Sequence, residues 1–152
     1  MSAKILVVDD EPSIVKLVTT TLEARGYTVY PAYDGRECLT EAKVHKPDLI
    51  LLDIMMPHMD GREARKELLA NPDTAGIPVI HLSAVGDYEQ QLQATSIGIT
   101  DYITKPFAPS ELVALVADML DPKKREQMAA ERKGKEGKLR TIVDIMHRPP
   151  KD

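Results

Sequence analysis

The chain has 152 residues and a net charge of −4, with 43% hydrophobic and 29% charged residues, the balance of one soluble globular domain rather than a disordered or fibrous chain. Five Tyr, one Phe and no Trp leave the core to aliphatic side chains. One cysteine, Cys38, excludes an internal disulfide framework, and neither a signal peptide nor a run of roughly 18 apolar residues occurs, so a cytoplasmic protein is expected.

Lys4–Asp9 (KILVVD) is a short aliphatic run that predicts a strand buried on both faces, closed by Asp9 and Asp10. Ile14, Leu17, Val18 and Leu22 then recur at helical spacing, with Gly26 as a stop. Tyr27–Ala32 is a weaker strand. Asp34, with Glu37 three residues on, predicts the cap of a second helix, on which Cys38 reads as a packing residue. Asp48–Asp53 (DLILLD) repeats the buried-strand pattern, and a helix over Arg62–Ala70 follows the Asp60-Gly61 turn. Ile77–Ser83 (IPVIHLS) predicts the next strand, Gly86–Ile97 a polar helix and Thr100–Thr104 a last strand. Pro109–Leu120 closes the series as a helix with Pro at its first position and Phe107 placed to staple onto Leu112.

Strand and helix thus alternate five times, the pattern of an α/β fold with a parallel sheet and helices on both faces. In such sheets the ligand site lies at the carboxyl ends of the strands. Asp9, Asp10, Asp53, Ser83 and Lys105 all fall there. Three carboxylates brought together repel one another unless a cation intervenes, and an all-oxygen set favours a hard ion such as Mg2+. A carboxylate beside bound magnesium is a competent nucleophile toward a phosphoryl group. Lys105 can neutralise charge on that group, each ion pair being worth about 4 kcal/mol at an effective dielectric near 20, and Ser83 can donate a hydroxyl hydrogen bond. His45, His58, His81 and His147 are scattered without ligand spacing.

The segments ILVVDDEP, DLILLDIMMPHMDG, VIHLSA and DYITKPF resemble the four signature segments of bacterial response-regulator receiver domains, in the family's order and spacing, across residues 3–120. The resemblance implies a doubly wound, flavodoxin-like sheet of five strands in the order 2-1-3-4-5. It implies Asp53 as phosphoacceptor, Asp9 and Asp10 as the acidic pair, and Met55 as donor of a metal-binding backbone carbonyl. Ser83, Ala84, Tyr102 and Lys105 take the phosphoryl-binding and switch positions, and the Lys105-Pro106 bond is expected to be cis, with Pro106 as the cis residue. The implied protein is a two-component signalling switch that is not an enzyme in its own right. Its phosphoryl donor is a histidine kinase or phosphotransfer protein, and Mg2+ is its cofactor. Met55 and Val85, at the two positions that tune hydrolysis in the family, are apolar, which implies slow self-dephosphorylation.

Residues 1–120 hold 10 Lys/Arg against 18 Asp/Glu, and residues 121–152 hold 10 against 6. That shift divides a receiver body, 1–120, from a basic tail, 121–152. Gly134 and Gly137 disfavour helix in the first part of the tail. Leu139, Ile142, Val143 and Met146 form one apolar stripe, which predicts a short amphipathic helix at 139–148. The tail has no room for a helix-turn-helix, so the expectation is a stand-alone switch with no DNA-binding output domain and neither nucleic acid nor membrane as partner. It would act on a protein target, or on a second copy, through the face of the fourth and fifth helices or the tail. An aspartyl-nucleophile phosphatase is the alternative, but it calls for a DxD motif after the first strand, where this chain has DDEP.

Overall fold

The computed structural model describes residues 2–53, 56, 61–84 and 101–127. Five strands, β1 (Lys4–Val8), β2 (Thr28–Ala32), β3 (Leu49–Asp53), β4 (Val79–Ala84) and β5 (Asp101–Lys105), pair in parallel in the order β2-β1-β3-β4-β5. Strand order reverses between β1 and β3, and this places the switch point of the fold beside the ends of those two strands.

Four described helices cover the sheet: α1 (Pro12–Glu23), α2 (Gly35–His45), α3 (Gly61–Ala70) and α4 (Pro109–Leu120). Alternation along each strand sends residues to two cores. Ile5, Val7, Leu49, Leu51, Ile80 and Leu82 pack with Val18 and Leu22 of α1 and Leu112 and Val116 of α4. Leu6, Val8, Ile50, Leu52 and Val79 pack with Cys38 and Ala42 of α2 and Leu68 of α3. Burial on both faces is why the central strands read as unbroken aliphatic runs, each fully buried Leu, Ile or Val stabilising the fold by about 1.5–3 kcal/mol.

Local chemistry sets the helix ends. Asp34 accepts the Glu37 backbone N–H at 2.8 Å, and the Glu37 carboxylate reaches back to the Tyr33 N–H at 3.1 Å, a capping box shifted outward by one residue. Pro12 and Pro109 stand in the first turns of α1 and α4, where a missing N–H costs nothing. Phe107 packs against the core cluster that contains Leu112. After Asp121 leaves helical geometry, residues 122–127 turn helical again. The Arg125 guanidinium donates from Nη1 to Met119 O at 3.0 Å, so the first charged stretch of the tail is ordered where frayed chain was expected. The predicted Gly86–Ile97 helix and the 139–148 stripe lie outside the described residues.

Candidate functional site

β1 ends at Val8, and Asp9 extends its ladder by one bond, donating its N–H to Ala32 O at 3.2 Å. The Asp9 side chain is wholly buried, 0% exposed. Its Oδ1 accepts the Glu11 N–H at 2.9 Å, tying down the turn into α1, and its Oδ2 accepts Lys105 Nζ at 2.6 Å. The same ammonium lies 3.4 Å from Asp53 Oδ2. Asp53 closes β3 at 5% exposure, whereas Asp10 is exposed. One oxygen from each of Asp9, Asp10 and Asp53 can be chosen so that all three lie within 4.8 Å of one another. Strand ends from three parts of the chain thus meet at the switch point, with Lys105 of β5 reaching in from the sheet edge.

Burial works against the Lys105 charge, but the Asp9 hydrogen bond and the charges of Asp53 and Asp9 outweigh it and raise its pKa above the ordinary lysine value. The amine therefore stays charged. One ammonium against three carboxylates leaves two negative charges in a mostly buried site. That excess, on an all-oxygen donor set, fits a hard divalent cation such as magnesium. Asp9, Asp10 and Asp53 each offer an oxygen that could hold it; the Asp9 oxygens that accept the Glu11 N–H and Lys105 Nζ keep further lone pairs.

The remaining expected site residues are placed to differing degrees. Ser83 and Ala84 end β4 opposite Thr104 and Lys105, and Tyr102 lies opposite His81; only their backbone positions are described. The Lys105-Pro106 peptide is cis. Met55 and Val85 lie outside the described residues, while Met56 is buried in the core on the α2 and α3 side. One of the four histidines read from the sequence only as scattered is buried. His81 is 1% exposed, and its Nδ1 lies 3.4 Å from Leu52 O. Burial pushes its pKa down to about 4; the Leu52 bond opposes this, and the charges of Lys105 and Arg62 add to it. The signal was present as the one polar residue inside VIHL.

The family model described as response regulator receiver domain matches residues 5–117. The chain belongs to that family. It is 43% identical over 130 residues to the alkaline phosphatase synthesis transcriptional regulatory protein PhoP of Bacillus subtilis, a match covering 86% of this chain and 52% of PhoP. It is 40% identical over 127 residues to the DNA-binding dual master transcriptional regulator RpaA of Synechocystis, covering 84% of this chain and 53% of RpaA. Among solved structures, the chemotaxis protein CheY4 of Vibrio cholerae superposes with a TM-score of 0.73 at 34% identity, over 77% of this chain and 98% of CheY4. The receiver domain of NtrX from Brucella abortus does so with a TM-score of 0.73 at 31% identity, over 78% and 98%.

These relatives correct one expectation. The chain spans about half the length of the curated relatives it matches, and those relatives are named as transcriptional regulators, one of them as DNA-binding. The reading of a stand-alone switch with no DNA-binding output domain is overturned. It rested on the lack of room after residue 121, whereas the relatives run to about twice the length of the matched part. The companion expectation of no nucleic-acid partner loses its ground with it. Among the described residues no helix is long and apolar enough to cross a membrane.

Proposed function

We propose that this chain is the phosphoryl-accepting receiver of a cytoplasmic response regulator that controls transcription, with Asp53 as the acceptor. One observation carries the reading: a nearly buried carboxylate at the switch point, with oxygens of two more carboxylates within 4.8 Å and an ammonium at 3.4 Å. The transcriptional output is suggested by the names of the relatives. The body over 1–120 does the chemistry, and the basic 121–152 segment, with its 139–148 stripe, follows it in the chain.

The donor is a phosphohistidine on a histidine kinase or phosphotransfer protein. An Asp53 oxygen attacks the phosphorus as the phosphorus–nitrogen bond breaks. The electron pair leaves with the imidazole, which takes up a proton, and Asp53 becomes an acyl phosphate. Magnesium, when bound, offsets negative charge on the carboxylate and the phosphoryl oxygens. Lys105 keeps its positive charge 3.4 Å from Asp53, where the phosphoryl oxygens arrive. Asp9, Asp10, Asp53 and the Met55 carbonyl would hold the metal, and Asp9 also holds Lys105 in place. Ser83 donates its hydroxyl to the phosphoryl group, supported by the Ala84 backbone, and Tyr102 answers the change from the next strand.

Intact mass after treatment with acetyl phosphate and magnesium tests the assignment. The wild type gains one phosphoryl group, and Asp53→Ala gains none while keeping its far-ultraviolet circular dichroism. Full labelling of Asp53→Ala would sink it.

A further inference from the structure

His81 stands in β4 between Ile80 and Leu82, level with the aliphatic Leu52, Val8 and Ala32 of β3, β1 and β2, and is 1% exposed. A polar ring removed from water needs its hydrogen bonds met. The Leu52 carbonyl, 3.4 Å from Nδ1, can only accept, so Nδ1 carries the ring proton. Nε2 is then a lone-pair acceptor, buried and with no hydrogen-bond partner among the described residues. Buried acceptors left unmet are uncommon and call for an explanation.

The neighbours narrow the choice of donor. Lys105 is held by Asp9 and Asp53, and Arg62, whose charge also reaches the ring, has an interaction of its own. Ser83 lies two residues along the same strand, about 6.6 Å away, and its hydroxyl is short. Tyr102 stands in register with His81 on β5, one strand spacing away, about 4.8 Å, and its hydroxyl sits at the far end of a ring. The next pair, Leu82 and Ile103, packs into the core on the α1 and α4 side. His81 and Tyr102 therefore share the opposite face.

We propose that His81 Nε2 captures the Tyr102 hydroxyl in the phosphorylated form, which makes His81 a positioning residue of the switch. This rests on the reading of Asp53 as acceptor and Tyr102 as its responding residue. In the resting form no described residue meets the lone pair. A form that brings the phenol to Nε2 gains a bond the resting form lacks, and a phosphoryl group that favours that form is favoured by it in return. An aliphatic residue at 81 would pack as well but would give the phenol nothing to hold.

The test uses the full chain with 15N-labelled histidine, and beryllofluoride with magnesium as the phosphoryl analogue. On addition of the analogue, the His81 Nε2 resonance moves upfield, as an imidazole acceptor does when it gains a donor, while Nδ1 stays protonated. Tyr102→Phe still binds the analogue but loses that movement. His81→Met and Tyr102→Phe each weaken analogue binding by roughly fivefold, the worth of one ordinary hydrogen bond, and the double variant weakens it no further. An unmoved Nε2 in the wild type, the same movement in Tyr102→Phe, or multiplied losses in the double variant overturns the proposal. A wild type that does not bind the analogue at all overturns the acceptor reading and this inference with it.

Discussion

Asp10→Asn should make the metal-free protein more stable while removing its response to magnesium. Asp10 is exposed, and it offers an oxygen within 4.8 Å of oxygens on both Asp9 and Asp53. In bulk water two unit charges at about 4 Å repel by about 1 kcal/mol, so the two repulsions cost about 2 kcal/mol. The Lys105 ammonium, bonded to Asp9 and Asp53, stands beside both and offsets about half of that, leaving about 1 kcal/mol. Asp10 also lies two residues before α1 begins, where a helix dipole favours a carboxylate by about 0.3–1 kcal/mol. The net gain for Asn is at most about 0.7 kcal/mol, or about 1–3 °C in Tm for a chain of this size, and it shrinks as salt screens the charges. Urea denaturation in EDTA and in saturating magnesium measures both halves. A ligand at a hundred times its Kd adds about 2.7 kcal/mol to the form that binds it, so magnesium should raise the wild type above the variant. A variant less stable than wild type in EDTA, or a gap that magnesium leaves unchanged, would refute the reasoning.

Lys105→Met leaves the wholly buried Asp9 carboxylate without its ammonium. Breaking a buried pair typically costs about 3–5 kcal/mol, discounted here to about 2–3 because the lysine keeps some solvent contact; denaturant midpoints will show it. The same variant should still take label at Asp53 but lack the protection changes in hydrogen exchange expected of the labelled wild type. His81 adds a pH dependence, since its pKa is about 4 in the folded chain against 6.5 in a free side chain. As pH falls the unfolded chain protonates first. This stability is complete above 6.5 and is lost by about pH 4, to the extent of roughly 3 kcal/mol. His81→Met should flatten that stretch of the stability curve relative to wild type. Met55→Asn or Val85→Glu should speed decay of the phosphorylated protein by supplying a polar group to orient water; decay equal to wild type in both would count against a role for those positions.

The parts of the fold legible in the sequence are those where one physical rule acts alone. Burial on both faces turns KILVV, LILLD and VIHLS into continuous apolar runs, and β1, β3 and β4 follow them to within two residues. A carboxylate after such a run has no packing reason to be there, which is why Asp9, Asp10 and Asp53 stood out as a group. Tertiary effects were hidden. Arg65 reads as a surface residue on a polar helix, yet it is 5% exposed with Nη1 3.4 Å from Ile77 O, a contact made across 12 residues. His81 passes as part of an aliphatic run because nothing local shows its register with Leu52 and Tyr102. The ordered turn at 122–127 depends on Arg125 closing back onto the end of α4, which helix propensity alone does not contain.

Charge is divided between the two ends of the sheet, and the division separates structure from chemistry. Right-handed crossovers between parallel strands run each helix against the strands it joins, so helix C-termini gather where strands begin and helix N-termini where strands end. At the first end an open groove of about 630 Å3 is lined by Lys4, Lys46, Asp48, Leu120 and Arg125 among others. Its cations have helix ends to serve. Lys4 Nζ donates to His45 O at 3.4 Å, Arg125 Nη1 to Met119 O at 3.0 Å, and Lys46 caps α2 in the left-handed conformation at φ 47°. Terminal carbonyls and cations satisfy one another there, and the Asp48 carboxylate is taken by the Lys4 N–H at 2.8 Å. At the other end the sum does not close. Three carboxylates share one ammonium, and the helix N-terminus beside them carries only partial charge. Folding alone gives no reason to assemble that excess. A cation and a phosphoryl group do, since the first removes the repulsion and the second gives the nearly buried Asp53 something to attack.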